Sequence, residues 1–336
     1  MFIGLDIHKR YNQACVMSDS GEIVQEERFM NTAEELNKFL ESIPDDSQIV
    51  IEACSVWEPI YEHIEEKGFD ISLAHPLKTR LISESKVKTD KIDAESLAKL
   101  LRLGELPKAH VPDAHIRKLR GIIRHRLALV KLRVKVKNLA HSVLHKAGIT
   151  IELTNIFGVS GMQFLKEVPL KPHHRFALNH YLSLIENINS LIDETNAYIE
   201  NQARNIPEIE ILNTIPGIGT YSALLLYAEI ADAKRFPDAG KLCRYAGITS
   251  SVYQSGNTER YGHITKQGNR LIRWILVQCV LKTAMHPNAV RRHYYRLLKR
   301  KGSKVAKVAS ARKLLTYIHI MLTHNVKFED LRVNSV

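Results

Sequence analysis

The first hundred residues switch between two hydrophobic periods. Residues 2–8, 13–18 and 22–29 read as strands, with Ser20-Gly21 as a turn between the last two. Thr32 followed by Glu35 is a capping-box pair that opens a helix through about residue 41. Residues 48–52 form a short apolar strand, 56–67 a helix and 70–74 another strand. Three strands, a helix, then alternating strand and helix predict a mixed α/β sheet with helices on its faces. After Pro107 and Pro112 the period lengthens. Residues 116–147 carry Leu, Ile and Val three and four apart, with Lys and Arg on the other face, and so predict one long amphipathic helix. Residues 176–205 predict a second, mildly acidic one with Leu182, Ile185, Ile188, Ile192 and Ile199 on its apolar side. The two are expected to pair as a coiled-coil arm, although neither keeps a clean heptad. Residues 150–174 carry no readable period, and 209–323 read as a mainly helical domain. The expected domains are therefore 1–112, 113–206 and 207–325.

Composition narrows the class. With 336 residues and 45% apolar positions, the chain has material for more than one core. No stretch reaches 18 consecutive apolar residues, and the first strand leaves no room for a signal peptide, so a cytoplasmic protein without membrane contact is expected. Cys15, Cys54, Cys243 and Cys279 are too scattered for a zinc site or a disulfide framework.

Charge changes the picture more. The formal net charge of +12 hides a division: residues 1–70 carry 5 Lys+Arg against 16 Asp+Glu, and the remaining 266 carry 43 against 20. Nine basic residues and no acid lie between 116 and 137, and ten with no acid between 286 and 313. A body this basic favours a polyanion, most simply nucleic acid, through phosphate neutralisation and counterion release. Arg117, Lys118, Arg120, Arg124, Arg126 and Lys131 are the candidate contacts on the long helix.

Four carboxylates stand where acids are costly or spaced with purpose. Asp6 interrupts a strand whose Ile3, Leu5 and Ile7 should face the core, and Glu52 ends the fourth strand. If those strands are neighbours, both carboxylates enter one crevice. Asp90 and Asp93 are three residues apart, on one face of a helix, a spacing that equally suits acids at a helix N-terminus. Four hard oxygen ligands suit Mg²⁺, with Mn²⁺ as the alternative, and such ions activate a nucleophile and stabilise a leaving oxygen in phosphoryl transfer.

Two later segments fit phosphate. Ile215-Pro-Gly217-Ile-Gly219 leads into an apolar helix as a helix-hairpin-helix-like motif, where backbone N–H groups can grip a phosphate without reading sequence. Residues 253–273 are polar and Gly-punctuated, so an exposed loop followed by a helix from about Asn269 is expected. Ser255 there precedes Arg260, His263, Lys266, Arg270 and Arg273, a set able to surround a phosphodiester. On chemistry alone Ser250, Ser251 and Thr258 are equal candidates for a nucleophile.

Together these residues carry a family resemblance. Gly-Leu-Asp6-Ile-His-Lys, Ile-Glu52-Ala-Cys and Lys-Thr-Asp90-Lys-Ile-Asp93-Ala resemble the Asp-Glu-Asp-Asp tetrad of transposases of the insertion-sequence 110 family. The Pro-Gly-Ile-Gly segment and Ser255-Gly256 with Gly262-His-Ile-Thr-Lys266-Gln-Gly268-Asn-Arg270 resemble that family's C-terminal domain. The resemblance implies a RuvC-like, RNase H-type domain whose tetrad binds Mg²⁺, a coiled-coil connector, and a second domain in which Ser255 attacks DNA and becomes covalently attached. It also implies a structured non-coding guide RNA, donor and target double-stranded DNA, and a homodimer that assembles into a tetramer. Gln254 stands where family members often have Ser or His. Two alternatives remain: a RuvC-like junction resolvase or nuclease using metal-activated water, and a non-catalytic nucleic-acid-binding protein.

Overall fold

A computed structural model, which describes residues 1–82, 89–255 and 258–331, divides the chain into two units, Met1–Val111 and Pro112–Val336. In the first unit β1 (Phe2–Ile7), β2 (Tyr11–Met17) and β3 (Ile23–Met30) run antiparallel, and β4 (Gln48–Glu52) and β5 (Asp70–Ala74) add parallel to β1, giving the order β3-β2-β1-β4-β5. This is the mixed sheet that the alternation of elements predicts, each strand lying within two residues of its expected bounds.

Alternation assigns the two faces. Ile3, Leu5, Ile7, Ile49 and Ile51 pack with helices α1 (Ala33–Glu41) and α2 (Trp57–Glu66). Thr32 caps α1 by accepting the Glu35 N–H at 3.3 Å, as its sequence position predicts. On the opposite face, after the short α3 (Pro76–Ile82), lies α4 (Asp90–Arg102). Its Ala94 and Ala98, four apart and so on one stripe, pack with Cys15 and Met17 of β2, and Leu97 and Leu101 pack with Val50 and Ala74.

Gly4 sets how close α4 comes. A Cβ there would lie 2.0 Å from the Ala94 carbonyl oxygen and 2.6 Å from the Ala98 nitrogen, both backbone atoms that cannot swing aside. Gly4→Val should therefore lift α4 from the sheet and cost on the order of 3 kcal/mol by overpacking, read as a lower melting temperature of the full chain. Unchanged melting would show that the helix does not approach this closely.

The second unit starts with α5 (Ala114–Lys146) and α7 (Pro172–Ala203), which run antiparallel beside each other, with α6 (Val159–Glu167) between them in sequence. Their seam explains the broken periodicity. Leu119, Arg126, Arg133 and Ala140 recur every seven residues on α5, but the middle two are polar; Arg126 donates to Asn196 Oδ1 at 2.5 Å and Arg133 to Asn189 Oδ1 at 2.9 Å on α7. Polar pairs inside a seam fix register at some cost in stability. Residues 150–174, unreadable in sequence, supply Ile156, Leu165 and Val168 to a small core with Ala140, Leu144, Leu178 and Leu182. Those apolar positions are completed by two distant helices, so no local period marks them.

The rest of the unit is α8 (Pro207–Asn213), α9 (Thr220–Ile230), α10 (Ala239–Tyr245), α11 (Arg270–Thr283) and α12 (Ala289–His324), around one large core that also takes Ile116, Leu119 and Ile123 of α5. The basic stretch 286–313 falls largely on α12, which bends at Gly302, where φ is +78°. One expectation is corrected. Residues 253–255 and 258–264 belong to the antiparallel strands β6 (Ser250–Ser255) and β7 (Thr258–Ile264), not to a loop. Strands that pair only with each other bury almost nothing, so they lack the apolar alternation by which strands are recognised. The Asn269 start of α11 is as predicted, its side chain accepting from the Leu271 and Ile272 N–H groups.

Candidate active site

In the first unit, strand register gathers the predicted carboxylates. Leu5 pairs with Ile51, so Asp6 and Glu52 are the next residues on two neighbouring parallel strands, and both lie on the face that carries α4. Thr89 caps α4 by accepting the Ile92 N–H at 3.3 Å, which places Asp90 first in the helix and Asp93 one turn on. Asp90, Ala94 and Ala98 share a stripe, so the close seat of the two alanines on β1 and β2 carries Asp90 toward Asp6.

Three more residues join them. His8 Nε2 lies 3.0 Å from Asp6 Oδ2 and 3.5 Å from Asp90 Oδ1, and ligand atoms of Asp6, His8 and Asp90 all lie within 4.8 Å of one another. The Tyr11 hydroxyl donates to Asp90 Oδ2 at 3.1 Å, and the Arg28 guanidinium stacks on the Tyr11 ring at 3.6 Å with its Nη2 3.8 Å from the same oxygen. The Asp6 carboxyl is held above its ordinary range, chiefly by burial; His8 opposes the shift, and the Asp93 and Asp90 charges add to it. Three carboxylates converging on a half-buried spot repel one another, and a hard divalent cation answers that arrangement. His8 was visible as a strand neighbour two residues from Asp6. Tyr11 and Arg28 were not, because their place depends on β2 and β3 register.

In the second unit Ser255 is exposed at the end of β6, paired with Thr258, and Tyr253 pairs with Arg260. Directly paired residues share a face, so Ser255, Tyr253, Thr258 and Arg260 lie on one side of the hairpin. Ser251 donates to the His263 carbonyl at 3.1 Å, whereas Ser250 is exposed on the first pair of the ladder. Gly256 falls outside the described residues. Lys266 and Arg270 are exposed beyond β7. Arg273 instead donates to the Ala246 and Gly268 carbonyls at 2.7 and 3.1 Å, closing the segment that follows the hairpin.

The other proposed nucleic-acid contacts divide. Lys118 and Lys131 are exposed on α5. Arg117 donates to the Pro112 carbonyl, and Arg126 also stacks on Tyr221 at 3.9 Å. Arg120 is only 16% exposed and donates to the Ala228 and Glu229 carbonyls at 2.8 and 3.1 Å, at the end of α9. Arg124 pairs at 3.1 Å with Glu229, itself 1% exposed. Last-turn carbonyls have no helical partner, and Arg120 supplies one to two of them, whereas Arg124 meets the Glu229 carboxylate. Gly217 has φ +89°, and a Cβ on it would lie 2.5 Å from that of Lys282, so the turn packs tightly against α11; Gly219 caps α9 and has open space around it.

Two family models match the chain. A transposase model of the DEDD type covers residues 3–149, and the model described as transposase IS116/IS110/IS902 family covers 209–296. A transposase for insertion sequence element IS1328 from Yersinia enterocolitica is 27% identical over 82% of each chain. A transposase for IS1111A from Coxiella burnetii is 23% identical over 96% of this chain and 89% of its own. A pilin gene-inverting protein from Moraxella bovis is 25% identical over 99% of both. A carboxylate-bearing mixed sheet followed by a basic helical unit, matched in this order, defines a DNA transposase. The chain belongs to the IS110 family of DEDD transposases. DNA is its substrate, and the family points to divalent-metal use. Among the described residues, no helix is long and apolar enough to cross a membrane.

Proposed function

We propose that the protein is a Mg²⁺-dependent, RNA-guided transposase or recombinase that cuts and rejoins DNA through a transient phosphoserine link. The observation that carries this reading is the convergence of Asp6, His8 and Asp90 within 4.8 Å on a nuclease-like sheet, with Glu52 and Asp93 beside them in register and in helix turn. Asp6, Glu52, Asp90 and Asp93 are the residues that hold the ion, and Mn²⁺ is its substitute. When bound, the ion supplies Lewis-acid stabilisation of charge on phosphate oxygens.

The chain's own residues do the rest. Ser255 Oγ forms a bond to phosphorus while the 3′ oxygen leaves; the serine loses its proton and the leaving oxygen gains one, giving a 5′-phosphoserine and a free 3′-hydroxyl. Attack by the other DNA's 3′-hydroxyl reverses the step and reseals the backbone. The exposed Arg260, Lys266 and Arg270 hold the phosphodiester near Ser255, and the Gly217–Gly219 turn and the exposed lysines of α5 grip duplex or guide-RNA phosphates. The α5–α7 pair serves as a coiled-coil arm, and two dimers assemble into a tetramer so that donor and target are held together. The Moraxella bovis relative, named for inverting a gene, supports a reaction that recombines DNA.

The test is strand exchange by the purified full chain with the RNA transcribed from beside its gene. Exchange should require both the RNA and a divalent ion, disappear in EDTA, return with Mg²⁺ or Mn²⁺, and fall at least about a hundredfold in Asp6→Asn. Full exchange in EDTA would remove the metal from the reaction, and full exchange without RNA would remove the guide.

A further inference from the structure

The two oxygens of Asp90 have different surroundings. Oδ2 accepts the Tyr11 hydroxyl at 3.1 Å and has the Arg28 guanidinium 3.8 Å away, whereas Oδ1 faces His8 at 3.5 Å, on the Asp6 side. Tyr11 is itself held by two contacts to its ring, Arg28 stacked at 3.6 Å and the tilted His8 ring at 4.7 Å between centroids. The terminal χ2 torsion of an aspartate is broad, so which oxygen faces which way is not set unless something holds the carboxylate. We propose that Tyr11 and Arg28 are positioning residues that clamp Oδ2 of Asp90 and so present Oδ1 to a divalent ion shared with Asp6.

This rests on the metal reading above and deepens it: neither residue touches the ion, and each acts through Asp90. Outer partners of this kind orient a ligand and typically change metal affinity about 10- to 100-fold when removed. The two should contribute unequally. Arg28 and Asp90 are 54% and 38% exposed and 3.8 Å apart, so solvent screens their charge attraction and the guanidinium acts chiefly by stacking on Tyr11. The Tyr11 hydroxyl makes the direct bond. Its loss should matter more, and Arg28→Lys, which keeps the charge and loses the planar stack, should resemble Arg28→Gln.

The probe is Mn²⁺ titrated into the full-length protein, with free ion followed by electron paramagnetic resonance. Wild type should bind and Asp90→Asn should bind far more weakly. Tyr11→Phe should weaken binding about tenfold with unchanged melting temperature. In the Asp90→Asn background, Tyr11→Phe should cost nothing further, because the bond it removes acts through that carboxylate. Wild-type affinity in Tyr11→Phe would overturn the clamp while leaving the metal site standing. The same loss in both backgrounds would also overturn it, since the tyrosine would then act on the fold and not on Asp90. Absence of Mn²⁺ binding in wild type would overturn the metal reading together with the clamp.

Discussion

Glu229→Ala is expected to lower the stability of the second unit by about 3 kcal/mol, at the low end of the range for breaking a buried ion pair. Glu229 is 1% exposed near the end of α9, and its carboxylate joins three elements: it accepts from Arg124 of α5 at 3.1 Å and from Asn269 at 2.7 Å, and Arg120 lies 3.9 Å away. Removing it leaves a cavity and strands the Asn269 amide. Arg120 keeps its two carbonyl acceptors and Arg124 is 56% exposed and turns to water, which holds the cost below that of an abandoned buried charge. Asn269 caps α11 directly after the segment that leads out of the serine hairpin, so the loss should reach that segment as well. Glu229→Gln, which keeps shape and hydrogen-bonding capacity, should cost roughly half as much. Thermal and urea melts of the full chain measure both. An alanine variant as stable as wild type would mean that the carboxylate is hydrated in solution. The same contacts make Arg120 and Arg124 poor probes of nucleic-acid binding, since reversing their charge breaks the fold first; Lys118 and Lys131 report on binding without that confusion.

The acidic cluster was partly legible in the sequence because period-2 alternation separates Asp6 from Ile3, Leu5 and Ile7, and because Asp90 and Asp93 stand three apart on one helical face. Strand order then did what no local pattern announces, setting Asp6 beside Glu52 and bringing Tyr11 and Arg28 to Asp90 from two further strands. The basic helix was only half legible. Amphipathicity shows which face of α5 is charged, but not that the end of α9 lies against Arg120. The hairpin escaped for the opposite reason: Ser255, Arg260 and their neighbours are polar, exposed and punctuated by glycine, a composition that turns and isolated two-stranded ribbons share.

The largest effect on activity is expected at Ser255. Its side chain is exposed at the hairpin end and supports no core, so Ser255→Ala should melt within about 0.5 kcal/mol of wild type. Yet strand exchange should fall by more than about 10⁴-fold, because among the described residues no neighbouring hydroxyl occupies the same place. Ser251 donates to the His263 carbonyl, Ser250 stands at the far end of the strand, and Thr258 crowds its hydroxyl with a methyl group. The decisive measurement is the covalent product itself. Full-length protein is incubated with Mg²⁺, the flanking transcript and end-labelled DNA nicked beside the exchange point, then denatured and digested for mass spectrometry. Wild type should leave a denaturation-resistant adduct whose DNA is joined through a 5′-phosphate to the peptide containing Ser255, and Ser255→Ala should leave none. Equal adduct in both proteins, or cleaved DNA with no adduct in wild type, would contradict the serine mechanism.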